Sequence, residues 1–257
     1  MNPPAVPQLG ETTITRIGLG TNRLARTPAN EAFLKAALDA GVNFIDTAYM
    51  YVGGESETTI GAALAPWPAH CIVATKGAMR AGEGRPDVLR GQIEESLRRL
   101  DTKTIDLYYL HRVDPETPLE TSLSVIAEYR DQGVIGHIGV SAVDLEQLER
   151  ARAVVPVAAV QNRFNLAERR HEDVIDYCAE HGILYVPFYP MRGQDGEPVA
   201  RIAAAHEATP SQIALAWLLR RSPAMVPIPG TLSIEHLREN LGALEIELTD
   251  DEYRALS

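Results

Sequence analysis

Four side chains able to exchange protons follow strand-like apolar segments of this sequence, and they belong to Asp46, Tyr51, Lys76 and His111. Three of them end the apolar segments 42–46, 71–76 and 105–111, and the tyrosine lies five positions beyond the first segment. If these segments are neighbouring strands of a parallel barrel, their C-terminal ends converge on one site. A carboxylate, a phenol, an ammonium and an imidazole in one cleft could transfer a proton to or from a substrate.

Each residue of this tetrad has a defined part in such chemistry. The Tyr51 phenol titrates at about pH 10, so it is a poor acid at neutral pH unless a cation such as Lys76 lowers its pKa. Asp46 can pair with Lys76 and keep a buried ammonium charged, while His111 can hydrogen bond to the substrate oxygen. Taken singly, each residue is also compatible with a structural role. Their joint placement at matching strand ends favours a catalytic site.

Short β-type segments alternate with amphipathic helical segments along the whole chain, and this alternation predicts a parallel sheet. We predict eight strands, at residues 17–20, 42–46, 71–76, 105–111, 137–141, 157–161, 183–188 and 225–228. Helices are predicted at residues 30–40, 57–64, 86–100, 119–132, 144–152, 171–180, 211–220 and 234–244, with an additional helical segment at 198–207. Eight strand–helix units predict an α/β fold of the (β/α)8 TIM barrel type. A short hairpin over residues 6–15 is expected to close the barrel bottom, and residues 1–257 are expected to form one domain.

The composition favours an acidic globular enzyme over a nucleic-acid or membrane protein. The 257 residues are 45% hydrophobic, enough to bury a full core, and the formal net charge is -11. Such a charge disfavours binding to nucleic acid or to a membrane surface, and no apolar run has transmembrane length. The N-terminal residues lack the pattern of a signal peptide, so we expect a cytoplasmic protein. Cys71 and Cys178 are expected to be buried thiols, and no metal site is expected.

Six short motifs stand in a recognisable order along the chain, at residues 43–51, 74–77, 109–111, 138–141, 159–162 and 227–231. They closely resemble the aldo-keto reductase superfamily, and the resemblance covers essentially the whole chain. It implies a (β/α)8 barrel that uses NADPH to reduce an aldehyde or ketone to an alcohol. It also implies that Tyr51 protonates the carbonyl oxygen, that Lys76 and Asp46 tune its acidity, and that His111 orients the carbonyl. The hydride must come from a cofactor, because no side chain can donate one.

The resemblance also assigns residues to the cofactor. Ser141 and Gln161 match the family's ligands for the nicotinamide carboxamide, and Phe188 takes the position of an aromatic ring that stacks on the nicotinamide. The family commonly has asparagine where this chain has Ala142, and we expect Asn162 or water to replace its hydrogen bond. The other assigned positions are Gly20, Thr21, Asn22, Asp46, Gly230, Thr231, Ser233, His236, Glu239 and Asn240.

The segment 230–240 resembles a helix start that could hold a phosphate on its free amides. Many relatives place lysine or arginine where this chain has Gly230 and His236. This difference predicts weaker binding of the 2'-phosphate of NADPH. NADPH remains the expected cofactor, with NADH as the alternative.

The short C-terminal segment predicts an open substrate cleft, because many relatives close the pocket with a longer tail. Candidate lining residues are Leu24, Tyr49, Met50, Val52, Met79 and Arg112. Each is also compatible with loop packing, and the arginine with a surface charge. The expected partner is a small-molecule carbonyl, such as a pyridoxal-like or natural-product carbonyl, bound by a monomer or small homo-oligomer.

Two other functions are compatible with the same residues. A non-catalytic NADPH-binding module could sense redox state through a partner, and it would bind NADPH without oxidising it with any carbonyl. A lyase or aldolase could form a Schiff base on Lys76. Asp46 disfavours this second function because it keeps the ammonium charged.

Overall fold

The computed structural model describes residues 7–257, and this part of the chain begins with a short hairpin. Its strands β1 (Gln8–Leu9) and β2 (Thr12–Thr13) pair antiparallel. Leu9 packs with residues of the barrel interior and is 3% exposed. The hairpin predicted over residues 6–15 is therefore confirmed, except that Val6 lies outside the described residues.

Seven parallel strands follow in sequence order, so each strand neighbours the next one along the chain. They are β3 (Leu19–Gly20), β4 (Phe44–Asp46), β5 (Ile72–Gly77), β6 (Ile105–Leu110), β7 (Ile135–Ser141), β8 (Val157–Gln161) and β9 (Leu184–Tyr185). Strand β9 ends before the predicted position 188, because Pro187 has no N–H for a ladder hydrogen bond. The C-terminal ends of β4, β5 and β6 lie side by side, as the placement of the tetrad requires.

The segment 225–230 closes the sheet into a barrel without being a regular strand. On one side, the Val226 N–H donates to β9 at 2.8 Å, and on the other the Pro229 carbonyl accepts a hydrogen bond from β3 at 3.2 Å. Neither Pro227 nor Pro229 has an N–H to donate, so each leaves one position of the ladder without a hydrogen bond. The predicted eighth strand at 225–228 is thus a bridging segment, and the predicted (β/α)8 barrel is confirmed.

The helices of residues 7–257 are α1 (Pro28–Asp39), α2 (Glu55–Leu64), α3 (Pro86–Leu100), α4 (Leu119–Asp131), α5 (Leu145–Val154), α6 (Glu172–Glu180), α7 (Glu197–Ala205), α8 (Pro210–Arg221), α9 (Ile234–Gly242) and α10 (Asp250–Leu256). The first nine agree with the predicted helical segments to within two residues at each end. Helix α10 was missed. Its sequence signal is a capping box, in which the Thr249 side chain and the Glu252 side chain each bond to the other's backbone N–H.

Tyr109 fills the barrel interior beside the strand ends that carry the tetrad. It is fully buried and lies in register with Lys76 on the neighbouring strand. Gly139 makes room for this ring, since a Cβ there would lie 2.3 Å from Tyr109 Cδ1. The barrel is therefore a packed core below the site and is open only above it.

Across residues 7–257, no helix combines the length and the apolarity needed to cross a bilayer. Within the same range, no cluster of three or more His, Cys, Asp or Glu side chains could hold a metal ion. Cys71 and Cys178 are buried free thiols, and burial raises the pKa of each to about 12. Neither thiol is a nucleophile at neutral pH.

Candidate active site

A buried ion pair forms the floor of the predicted site. Lys76 on β5 is 0% exposed, and its ammonium donates to both carboxylate oxygens of Asp46, at 2.7 and 2.6 Å. Its third hydrogen bond goes to the Thr47 carbonyl at 2.7 Å. Asp46 ends β4 and also accepts a hydrogen bond from Gln161 Nε2 at 2.7 Å. Burial lowers the pKa of Lys76, and the contact with Asp46 opposes that shift. All three ammonium protons are therefore used within the protein.

Tyr51 and His111 complete the predicted tetrad at the same strand ends. The Lys76 ammonium lies 5.2 Å from the centroid of the Tyr51 ring. The rings of Tyr51 and His111 meet edge to face, with centroids 6.2 Å apart and an interplanar angle of 82°. The backbone N–H of His111 donates to the Gly77 carbonyl at 2.8 Å, which fixes the start of its loop to β5. The structure thus brings together all four residues that the sequence singled out.

The electrostatics of Tyr51 differ from the sequence expectation. Burial raises the pKa of its phenol well above its ordinary value, and the Asp46 carboxylate raises it further. The sequence predicts instead that Lys76 lowers the pKa of this phenol. The opposite direction follows mainly from burial, which disfavours the charged phenolate, and the nearby Asp46 carboxylate acts in the same direction. The phenol therefore keeps its proton at neutral and moderately alkaline pH, as a proton donor requires.

His111 is a neutral imidazole in this environment. Burial lowers its pKa to about 3, and the neighbouring cations Lys76 and Arg112 contribute to the shift. Among the described residues, its Nδ1 atom is buried without a hydrogen-bond partner. A neutral imidazole carries one N–H, which can donate to a carbonyl oxygen.

The lowered pKa of His111 predicts a loss of stability in acid. The unfolded chain binds this proton at about pH 6.5, whereas the folded protein binds it only near pH 3. Stability should therefore fall as the pH drops through this window, by about 3 kcal/mol at pH 4. The variant His111→Gln should lose this part of the acid sensitivity, measured by urea unfolding at pH 7 and pH 4. The exposed His70 provides the control: His70→Gln should match the wild type, and equal acid sensitivity in all three proteins would contradict the assignment.

A cleft of about 960 Å³ opens over the tetrad, a volume typical of small-molecule sites. Eight predicted cofactor residues line it, namely Gly20, Thr21, Asn22, Asp46, Ser141, Gln161, Phe188 and Gly230. The other five predicted cofactor residues do not line the cleft. They come after Gly230 in the chain and are Thr231, Ser233, His236, Glu239 and Asn240.

The cleft wall fits a nicotinamide and its carboxamide. Gln161 gives its Nε2 to Asp46, which leaves its Oε1 to accept a hydrogen bond from an amide N–H. Ser141 adds a hydroxyl that can donate or accept, and Phe188 presents a half-buried aromatic ring. Gly20 leaves the backbone open on the opposite wall, where a Cβ would lie 2.8 Å from a carbonyl oxygen of the bridging segment. A donor, an acceptor and an aromatic face are the groups that a nicotinamide needs.

Asn162 does not replace the amide that the family commonly has at position 142. Its Oδ1 accepts a hydrogen bond from the Val143 N–H at 3.0 Å, and its Nδ2 donates to the Val143 carbonyl at 2.7 Å. Both ends of the amide are therefore committed to the backbone. Ala142 itself lines the cleft with a left-handed φ of 56°, a conformation that asparagine adopts more readily than alanine.

Residues 231–240, which come after the cleft residue Gly230, contain the start of helix α9, as predicted. Ser233 caps the helix by accepting a hydrogen bond from the His236 N–H at 3.2 Å, and its hydroxyl donates to Glu235 at 2.7 Å. Glu239 accepts a hydrogen bond from the Thr209 hydroxyl at 2.8 Å. The side chains of Ser233 and Glu239 thus already have partners within the protein, and His236 is exposed beside them.

The six predicted substrate-lining residues divide into two groups. Those that line the cleft are Met50, Met79 and Arg112. Leu24 does not, because its side chain is 0% exposed and packs in the hydrophobic core. The ring centroid of Tyr49 lies 4.5 Å from the guanidinium carbon of Arg99, outside the cleft. Val52 is exposed and also lies outside the cleft. The expectation that these three residues line the substrate site is corrected accordingly.

The cleft is also lined by residues that the sequence did not indicate, among them Arg23, Arg163, Tyr189 and Arg192. Tyr189 is 46% exposed, and the guanidinium groups of Arg163 and Arg192 lie 5.3 and 5.1 Å from its ring centroid. Arg23 donates to the Gly230 carbonyl at 3.0 Å. These arginines make the cleft cationic within an acidic protein, which favours anionic ligands. Their position just after strand ends was the signal available in the sequence.

Comparison with known proteins decides the family. The model of the aldo/keto reductase family matches residues 16–195 and 191–257. The chain belongs to the aldo-keto reductase family. An uncharacterized oxidoreductase of Schizosaccharomyces pombe is 37% identical to it, over 97% of this chain and 88% of that protein. Pyridoxine 4-dehydrogenase of Escherichia coli is 35% identical, over 95% and 94% of the two chains.

Solved structures of aldo-keto reductases share the fold. A thermostable aldo-keto reductase crystallised with the inhibitor epalrestat superposes with a TM-score of 0.89, at 36% identity and 97% coverage of both chains. An aldo-keto reductase from Klebsiella pneumoniae in complex with NADPH superposes with a TM-score of 0.87, at 28% identity and 96% and 92% coverage. This aldo-keto reductase is thus an NAD(P)H-dependent oxidoreductase with a nicotinamide cofactor.

Proposed function

We propose that this aldo-keto reductase reduces a small aldehyde or ketone to an alcohol with NADPH, and that Tyr51 is the general acid. The observation that carries the proposal is the convergence of Tyr51, Lys76 and His111 beneath one cleft. A protonated phenol and a neutral imidazole both face the same space, and both can donate to a carbonyl oxygen. The ion pair below them has no free proton to give.

The cofactor, when bound, supplies a hydride to the carbonyl carbon. Ser141 and Gln161 would hold the carboxamide of the nicotinamide, and Phe188 would offer an aromatic face to its ring. His111 donates a hydrogen bond to the carbonyl oxygen and orients it. Tyr51 then gives its proton to that oxygen, where negative charge develops as the carbonyl is reduced. The Lys76 ammonium, 5.2 Å from the Tyr51 ring, favours the resulting phenolate.

The geometry of Lys76 disfavours the alternative of a Schiff-base lyase. A Schiff base forms on a neutral amine that can approach the substrate carbonyl. All three ammonium protons of Lys76 are bound by Asp46 and Thr47, and its side chain is fully buried. Borohydride and a carbonyl substrate should therefore leave no adduct on Lys76.

The substrate class that we favour is a pyridoxal-like or other small aromatic carbonyl. The Escherichia coli relative is named a pyridoxine 4-dehydrogenase, and the cleft here has the apolar Met50 and Met79 on one side and cationic Arg112 beside His111. A carbonyl compound with a flat ring and one anionic or phenolic group would match these residues. The cytoplasmic location, the single domain, the oligomeric state and the absence of a nucleic-acid partner stay predictions.

A panel of carbonyl compounds tests the proposed function. Purified protein is incubated with NADPH or NADH and with aldehydes, ketones or pyridoxal, and the nicotinamide absorbance is followed. We expect NADPH oxidation with at least one aldehyde. Binding of NADPH without oxidation by any carbonyl would instead support the redox-sensing module.

Position 142 provides a prediction about cofactor affinity. Ala142→Asn adds an amide to the cleft wall and lowers the strain of the left-handed backbone at this position. NADPH should therefore bind about fivefold more tightly, which corresponds to about 1 kcal/mol from one hydrogen bond. Ala142→Gly relieves the same backbone without an amide and is the matched control. Fluorescence titration of NADPH measures both variants. Equal affinity of the asparagine and glycine variants would show that the amide does not reach the cofactor.

A further inference from the structure

The segment that carries Tyr51 has an unusual backbone. Immediately after this tyrosine, Val52, Gly53 and Gly54 have φ values of 49°, 64° and 97°, all in the left-handed region. A β-branched residue such as valine rarely adopts this region, because its side chain clashes with the backbone there. Such a conformation persists only where surrounding contacts determine it. The question is therefore which contacts hold the Tyr51 segment.

One side chain, Arg99 of helix α3, contacts this segment on both sides of the tyrosine. Its Nη1 donates to the Tyr49 carbonyl at 2.8 Å, and its guanidinium lies 4.5 Å from the Tyr49 ring centroid. The same group packs directly on Gly54, where a Cβ would lie 2.4 Å from Arg99 Cζ. Glycine at position 54 is thus needed both for its φ and for the space that the guanidinium occupies. Tyr51 lies midway between these two contacts.

Two carboxylates fix the orientation of Arg99. Glu95 accepts a hydrogen bond from its Nε at 2.8 Å, and the fully buried Glu57 accepts one from its Nη1 at 3.3 Å. Glu57 also accepts a hydrogen bond from the Thr75 hydroxyl at 2.6 Å, and Thr75 precedes Lys76 on β5. A planar guanidinium suits this position because it can donate in several fixed directions at once. The network thus joins the Tyr51 segment to the strand that carries the catalytic lysine.

We propose that Arg99 is a positioning residue for Tyr51, a role that rests on the proposed function of Tyr51 as general acid. Arg99 lies behind the tyrosine segment and does not line the cleft. It holds the left-handed turn 52–54, and the turn aims the phenol at the space between Lys76 and His111. A displacement of about 1 Å in a catalytic group can lower a rate by about 100-fold. Loss of Arg99 should therefore lower kcat while leaving cofactor binding intact.

The test compares Arg99→Met with Arg98→Met. Both side chains pair with Glu95, but Arg98 is 71% exposed and does not contact the Tyr51 segment, so it is the matched control. For Arg99→Met we expect kcat for carbonyl reduction to fall at least tenfold, with KM and the NADPH Kd within twofold of wild type. Amide hydrogen exchange should become at least tenfold faster in residues 49–54. Arg98→Met should change none of these quantities.

A second pair of variants guards against a general loss of folding. Arg99→Lys keeps the charge but cannot make the divergent hydrogen bonds, so it should recover only part of kcat. Glu57→Gln keeps the size of the side chain and weakens the orientation of Arg99, so it should lower kcat by a smaller factor. Unchanged kcat in Arg99→Met, with an active wild type, would overturn the inference. If the wild type reduces no carbonyl but amide exchange in residues 49–54 is faster in Arg99→Met, the result would support the positioning of the segment. The same result would refute the proposed function.

Discussion

Replacement of Tyr51 by phenylalanine is expected to lower kcat for carbonyl reduction by roughly 100- to 10,000-fold, the range attributed to one general acid. The ring, which contacts Lys76 and His111, stays in place. Only the hydroxyl that carries the proton is lost. Steady-state oxidation of NADPH with a carbonyl substrate measures the effect.

Cofactor binding should survive the same substitution. Ser141, Gln161 and Phe188 line another part of the cleft, so the NADPH Kd from fluorescence titration should stay within about twofold, a change below 0.5 kcal/mol. Tyr129→Phe is the control, because within residues 7–257 this tyrosine hydroxyl donates to the surface residue Glu94 at 3.0 Å and to no other side chain. Turnover of Tyr51→Phe at the wild-type rate would remove Tyr51 from the mechanism. Loss of both turnover and NADPH binding would show that the tyrosine has a structural role.

Replacement of Lys76 by methionine is expected to destabilise the fold by about 3–5 kcal/mol, because it leaves the buried Asp46 carboxylate without its cation. Gln161 would then be the one remaining side-chain donor to Asp46 among the described residues, at 2.7 Å. Urea unfolding followed by tryptophan fluorescence measures the free energy of unfolding. Catalysis should also fall, since the phenolate of Tyr51 loses its nearest cation.

A double variant separates burial of charge from loss of packing. Asp46→Asn combined with Lys76→Met removes both charges and should recover most of the lost stability without recovering turnover. The exposed pair of Arg90 and Glu128 provides a contrast, since Arg90→Met should leave the free energy of unfolding nearly unchanged. A double variant as unstable as Lys76→Met alone would show that packing, and not charge, dominates at this site.

The sequence predicted well those features that depend on the residues of a single strand–helix unit. Asp46, Lys76 and His111 each follow an apolar strand, and the parallel order of the strands then places them together. Cleft residues such as Ser141 and Gln161 could be assigned only through the family resemblance. The resemblance did not reveal that Asn162 is committed to the Val143 backbone, because that choice depends on the loop conformation.

Contacts between distant elements were beyond sequence reasoning. Arg99 reads as an ordinary charged residue near a helix end, yet it bonds to a carbonyl 50 positions away, at Tyr49. Leu24 lies on a loop beside the cleft, and its burial is decided by packing against the core rather than by position. The direction of the Tyr51 pKa shift likewise depends on how deeply the fold buries the phenol and on how close Asp46 lies to it. A local sequence pattern contains no information about such distances between separate elements.

The filled interior of the barrel limits the paths by which water can reach the site. Tyr109 occupies the space beside Lys76 within the barrel, and the hairpin residue Leu9 closes the core from the other end. The packed core thus closes the route to Tyr51 from below, and the cleft that Tyr51 lines gives its phenol access to water. Substrate and cofactor would occupy that same cleft during turnover. If Tyr51 is the general acid that we propose, its phenol would regain a proton from solvent after the alcohol leaves, and proton uptake would then be coupled to product release.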